Sequence, residues 1–138
     1  MPIGRRNLTS NSQGAFIVPN ATASGAVRAG AAVAVVEILG VVKVIECSAS
    51  SNAASFVGFA NQAVADGDVV ELISVRGSTV TPVIEGAGAL TPGDMVFISD
   101  TAGEIKMGLP TAGMAIRVGA AISTTQLILT TDLQVVLG

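Results

Sequence analysis

The sequence has no histidine, no tryptophan and no tyrosine, and only one cysteine in 138 residues. Without histidine there is no ordinary general base near neutral pH, no usual zinc ligand, and no Ser-His-Asp or Cys-His arrangement. A single cysteine, Cys47, excludes an intrachain disulfide and a thiolate metal cluster within one chain, and the simplest expectation for it is a small buried apolar residue. The missing Trp and Tyr remove the rings on which sugars usually stack, so a carbohydrate-binding module ranks third among the functions considered. Charge is scarce as well. At 12 % charged residues the surface must be made largely of Ala, Ser, Thr and Gly, which suits lasting contact with other protein.

What is present is aliphatic. Half of the residues are hydrophobic and only 3 % aromatic, so the interior is built from Val, Ile, Leu and Ala, a composition that favours strands. A chain of this length fits one domain that hides roughly two thirds of its unfolded surface. The net charge of −3 is unevenly placed: Arg5, Arg6 and Arg28 make the first 28 residues basic, and everything after is acidic. An acidic body with four Phe residues held in apolar runs lacks the basic stripe and stacking platform of a nucleic-acid groove, so no nucleic-acid partner is expected. The longest apolar stretch, 29–42, is broken by Glu37 and is too short for a spanning helix, so no membrane partner is expected either. The polar stretch from Asn7 to Gln13 stands where a signal peptide would carry its apolar core.

From Met1 to about Ser24 no period is sustained, and the chain reads as an extended N-terminal arm over 1–25, with Ala15, Phe16, Ile17 and Val18 as its one short extended piece. Removing residues 1–24 is expected to leave the body folded. From 26 to 138 the pattern is that of a single β domain: short β-branched runs closed by Gly, Asp, Asn, Ser or Pro. Strands are expected over 32–39, 41–47, 55–60, 68–75, 79–85, 94–99, 104–107, 115–121, 125–130 and 133–137, with at most one short helix near Ser50 to Ser55. Strand 68–75 has apolar residues on both faces and should be covered on both sides.

The runs also echo one another. Gly30 and Gly40 bracket one apolar run, and Gly93 and Gly103 bracket another at the same spacing. Phe56-Val57-Gly58-Phe59-Ala60 is answered by Ile116-Arg117-Val118-Gly119-Ala120-Ala121, which points to two duplicated β units. The densest carboxylates, Asp66-Gly67-Asp68 with Asp94, Asp100 and Glu104, lie at strand ends, where Asp and Gly serve turns better than they serve a metal or acid-base site. No catalytic, cofactor or metal residues are assigned, and no enzyme activity is expected.

Phe56-Val57-Gly58-Phe59-Ala60, Asp68-Val69-Val70-Glu71-Leu72, Arg76-Gly77-Ser78-Thr79-Val80, Leu90-Thr91-Pro92-Gly93-Asp94-Met95-Val96-Phe97 and Val118-Gly119-Ala120-Ala121 together resemble the small head decoration proteins of tailed phages. The likeness extends over about residues 26 to 131. It is to the lambda-type decoration proteins and to a broader group of short Gly- and Val-rich capsid-cement proteins. The resemblance implies a small β-barrel or β-tulip-like body, homotrimers at local threefold positions on the capsid exterior, synthesis in the host cytoplasm, and an arm that reaches the major capsid protein. Arg5 and Arg6 match no motif of that family. Ala15, Phe16, Ile17 and Val18 are the arm residues suited to adding a strand to a capsid edge. The rival expectation is a head- or tail-associated virion binding module.

Overall fold

The aliphatic runs pair into eleven strands, and the chain, seen in a computed structural model that describes residues 15–137, is all-β. In chain order the strands are β1 (Ala15–Ala23), β2 (Ala32–Ile38), β3 (Val41–Glu46), β4 (Phe56–Ala60), β5 (Val69–Ile73), β6 (Thr79–Val80), β7 (Val83–Ile84), β8 (Met95–Ile98), β9 (Glu104–Met107), β10 (Gly113–Ala121) and β11 (Leu127–Leu137). The first five close into a barrel in the order β1-β3-β2-β4-β5, and the other six form a sheet ordered β6-β11-β10-β8-β9-β7. The helix expected near Ser50 to Ser55 is one 3₁₀ turn, Ala53–Ser55, and the chain bends again over Glu85–Ala87, where Gly86 and Ala87 take positive φ.

The two sheets are one topology used twice. In the first unit β2 pairs with β3 and β4, and β4 with β5; in the second β8 pairs with β9 and β10, and β10 with β11, all antiparallel. β1 closes the barrel by joining β5 antiparallel and β3 parallel. In the second unit the same two bonds are divided: β6 joins β11 antiparallel and β7 joins β9 parallel. The run expected as one strand over 79–85 is therefore two, split at Thr81 and Pro82, where proline offers no N–H to a ladder. The edges of the second sheet are thus two residues apart in the chain.

Loop hydrogen bonds repeat too. Gly30 N–H donates to the Ala60 carbonyl at 2.8 Å and Gly93 N–H to the Ala121 carbonyl at 2.8 Å; Ala31 bonds back to Arg28 as Asp94 bonds back to Thr91. Each unit carries a β-bulge at the same place: β4 skips Val57 before Gly58, which faces Val33, and β10 skips Val118 before Gly119, which faces Val96. Both glycines lie where the next strand comes close. A Cβ would sit 2.7 Å from the Ile73 carbonyl oxygen at Gly58, whose φ is +153°, and 2.0 Å from that of Ile128 at Gly119.

The barrel is narrow and is filled by small side chains, Ala21, Ala23, Ala60, Val33, Val44, Val70 and Leu72. A five-strand barrel has little internal room, which explains a core so short of rings. Alternation sends Ala32, Ala34, Phe59 and Ile73 to its outer face, where they join Val96, Ile98, Ile105, Val118, Leu127 and Leu129 of the second unit in the larger cluster. Phe59 also meets the ring of Phe56 edge-on, centroids 5.5 Å apart.

Three expectations change. β1 is part of the barrel wall, so the arm expected over 1–25 includes a strand that the body needs, and removing 1–24 would open the barrel; residues 1–14 lie outside the described residues. The strands expected over 125–130 and 133–137 are one, β11, because β10 runs alongside it on both sides of its bulge. β5 is covered on its outer face only near Ile73; Val69 is 52 % exposed.

Candidate interaction surface

Of the carboxylates singled out in the sequence, Asp66, Asp68 and Asp100 serve loop structure. Asp66 accepts the Gly25 N–H at 2.8 Å, tying the β4–β5 loop to the end of β1, and Asp68 accepts the Ala65 N–H at 3.4 Å within that loop. Asp100 accepts from the Thr111 N–H and hydroxyl, both at 3.1 Å, and lies 3.6 Å from Lys106. Partial desolvation pushes the Asp100 carboxyl up, but the Thr111 donors and Lys106 outweigh it and hold it below the usual aspartate range. Buried Ser99 donates its hydroxyl to Glu85 and receives the Thr101 N–H at 3.0 Å. Among the described residues no group of three or more metal-ligating side chains gathers.

Glu46 and Glu104 converge on Arg28, which grips Glu46 through Nε at 3.2 Å and Nη2 at 2.9 Å, and reaches Glu104 through Nη1 at 3.3 Å. Hydrogen bonding to Glu46 is the main reason that the guanidinium holds its proton more tightly than usual. Because Glu46 belongs to β3 and Glu104 to β9, this cluster clamps the two units together. Cys47, beside it, is fully buried, and desolvation pushes its thiol up to about 12. That is an inert side chain in the sense expected from the sequence.

Of the proposed arm contacts, Arg5 and Arg6 lie outside the described residues. Ala15, Phe16 and Ile17 are paired in register with Ile73, Leu72 and Glu71 of β5, and Val18 follows them in β1. Their β5-side edge is therefore occupied within the chain, while Ile17 remains 50 % exposed on the barrel wall.

The feature that sequence reading missed is the end of the β2–β3 hairpin. β4 accompanies β2 only as far as Ala34, and β1 accompanies β3 at Thr22 and Ala23, opposite Lys43 and Val44. Beyond those positions the hairpin projects as a two-stranded ribbon ending in Ile38, Leu39, Gly40, Val41 and Val42. Leu39 is 97 % exposed, and Ile38, Val41 and Val42 are 40–47 % exposed. Both loop residues have positive φ, +53° at Leu39 and +80° at Gly40, which is the tight hairpin loop that prefers Asn-Gly. A leucine there is both strained and in water, a double departure from local preference of the kind that accumulates at working surfaces. The available signal was that a β-branched run continued through a Leu-Gly loop with no polar residue to mark the turn.

Between the units lies a shallow groove of about 550 Å³ lined by Gly30, Ile73, Thr81, Pro82, Gln126 and neighbours, none of them ionisable. No protein-family model matches the chain, and no curated protein matches it. The geometry is that of a β framework in which Asp66, Asp68 and Asp100 serve loops, Arg28, Glu46 and Glu104 hold the unit junction, and exposed apolar side chains are available for contact.

Proposed function

We propose that this protein binds the outside of a tailed-phage capsid and cements the lattice of the major capsid protein, seated as homotrimers around local threefold positions. The observation that carries the reading is the division of labour on the surface. Asp66, Asp68, Asp100, Glu46, Glu104 and Arg28 are committed to turns and the junction, whereas Ile17 is presented to solvent on the barrel wall and Ile38, Leu39, Val41 and Val42 on the ribbon beyond it. Such a surface recognises other protein, not a substrate. The segments that resemble decoration proteins coincide with the framework: the bulges at Val57-Gly58 and Val118-Gly119, and the Pro92-Gly93-Asp94 turn before β8.

Cementing needs no reaction and no cofactor. Each aliphatic contact is weak, and capsid symmetry repeats it, so avidity accumulates without any single strong site. The acidic body favours a protein partner over a polyanion. Co-sedimentation with undecorated heads tests the reading: bound copies should saturate near one per major capsid subunit. Saturation at a few copies per head would assign the protein to a head- or tail-associated module instead, and absence of binding would remove the capsid reading. Removing residues 1–14 spares β1 and isolates the contribution of Arg5 and Arg6.

A further inference from the structure

Beside the apolar cover over the barrel's outer face, one hairpin turn of the second unit is seated on the first by three hydrogen bonds. The Gly103 carbonyl accepts the Ala32 N–H at 2.9 Å, Gly103 N–H donates to the Cys47 carbonyl at 2.8 Å, and Arg28 Nη2 donates to the Ala102 carbonyl at 2.8 Å. This turn joins β8 to β9. Its counterpart in the first unit is Leu39-Gly40, between β2 and β3, and Leu39 is 97 % exposed. When one unit's turn is seated and the equivalent turn of the other is bare, the units are related head to tail, and a head-to-tail relation leaves one unused knob and one unused receiver.

The receiver is located by register. Val33 faces Gly58 and Glu46 in the first unit as Val96 faces Gly119 and Met107 in the second. The positions that hold the seated turn, Arg28, Ala32, Glu46 and Cys47, thus correspond to Thr91, Met95, Met107 and Gly108. The local bonding agrees: Arg28 N–H donates to the Glu46 carboxylate at 2.8 Å, and Thr91 N–H donates to Met107 Sδ at 3.0 Å.

The chemistry of knob and receiver changes together. In the first unit the receiver is ionic, built on Arg28 and Glu46, and it takes the polar Asp100–Gly103 turn. In the second, the same positions carry no charge: Met95 is 49 % exposed, Met107 is half-buried, and Leu109, next after Gly108, is 58 % exposed. Beside them is a pocket of about 190 Å³ whose lining joins Ile84, Leu90 and Met107 to the charged pair Glu85 and Lys106. The unused turn is aliphatic from Ile38 to Val42, with one exposed carboxylate, Glu37, flanking it opposite Val42. Its hairpin is also two residues longer between the equivalent pairs Val35–Val44 and Ile98–Ile105, which gives it reach.

We propose that the β2–β3 tip of one copy seats on the Thr91, Met95, Met107 and Leu109 surface of a second copy, repeating between chains the junction already made within the chain, so that copies associate head to tail into a closed ring. The inference rests on the self-association contained in the reading above and not on the capsid.

The test is made with the full chain and without heads, by light scattering on a size-exclusion column over a concentration series. The wild type should run as a fixed multiple of its 13.7 kDa mass. Leu39→Asp and Met95→Asp should each weaken association roughly tenfold to a hundredfold, the equilibrium worth of one buried apolar side chain, while Val75→Asp, an exposed apolar control, leaves it unchanged. Leu39→Cys mixed with Met95→Cys should give a disulfide-linked pair on mild oxidation, with buried Cys47 as a silent background, and neither variant should cross-link alone. A monomer at every concentration overturns the proposal, as does cross-linking of Leu39→Cys to itself, which would mean tip-to-tip pairing. If Leu39→Asp lost only head binding while the wild type stayed monomeric, the tip would belong to the capsid contact and the ring would fall. Rings that do not bind heads would instead retain the ring and remove the cement reading.

Discussion

Leu39 concentrates the argument at the residue scale. It occupies a left-handed backbone position with its side chain in water, so its replacement by a residue suited to that loop should stabilise the monomer. Leu39→Asn is expected to raise unfolding free energy by about 1 kcal/mol, measured by urea titration, while abolishing any function of the apolar tip. Stability and function moving in opposite directions would separate a working leucine from a packing one. Cys47 makes the opposite case. Its raised pKa means that the neutral thiol is the form the fold favours, so its contribution is complete below about 9 and fades as pH climbs toward about 12. A thiol reagent at pH 8 should leave native protein unmodified over hours and label it fully in denaturant; rapid labelling of native protein would contradict the burial.

At the scale of elements, most strands were legible because each is a short β-branched run closed by a turn residue, and the hairpins around Gly40 and Gly103 announced themselves by their shared spacing. β1 was not, since Pro19, Asn20, Thr22 and Ser24 disturb its alternation, and its role depends on partners about 20 and 50 residues away that no local pattern reports. The break at Thr81-Pro82 was hidden for the same reason: the strand changes partner there, from β11 to β9. The hairpin around Gly40 was legible but the exposure of its tip was not, because composition alone cannot distinguish a strand in the core from one that outruns its neighbours. The paired bulges give this scale its prediction. Gly119→Ala forces a methyl against the Ile128 carbonyl and should lower stability by about 2–4 kcal/mol in thermal unfolding, with Gly58→Ala costing a similar amount. A neutral result at both positions would mean that the strands can separate without loss, contrary to the close approach described.

For the whole molecule, the junction matters more than either unit. The outer face of the barrel, with Ala32, Ala34, Phe59 and Ile73, is apolar and is covered by the second unit, so the units are expected to unfold together in one transition. Arg28 adds polar definition to that contact. Arg28→Ala should lower stability by about 1–2 kcal/mol, a modest figure because the guanidinium is half exposed and water screens the pair. The loss should shrink at high salt, and Arg28→Lys should recover only part of it, since a single ammonium cannot grip Glu46 with two donors while also reaching Glu104 and the Ala102 carbonyl.

The way β1 closes the barrel also sets an order of events during synthesis. The N-terminal strand must wait for β5, so nothing before Ile73 can complete the first barrel as the chain leaves the ribosome. β6 and β7 must wait likewise for β11 and β9, which delays the second sheet until residue 128 has emerged. Through that interval a finished barrel carries an uncovered apolar flank, with Phe59 and Ile73 still awaiting their cover. Polysomes crowded with such half-made chains are therefore where this protein is most exposed to aggregation, and slowing translation between residues 75 and 128 should lower its soluble yield.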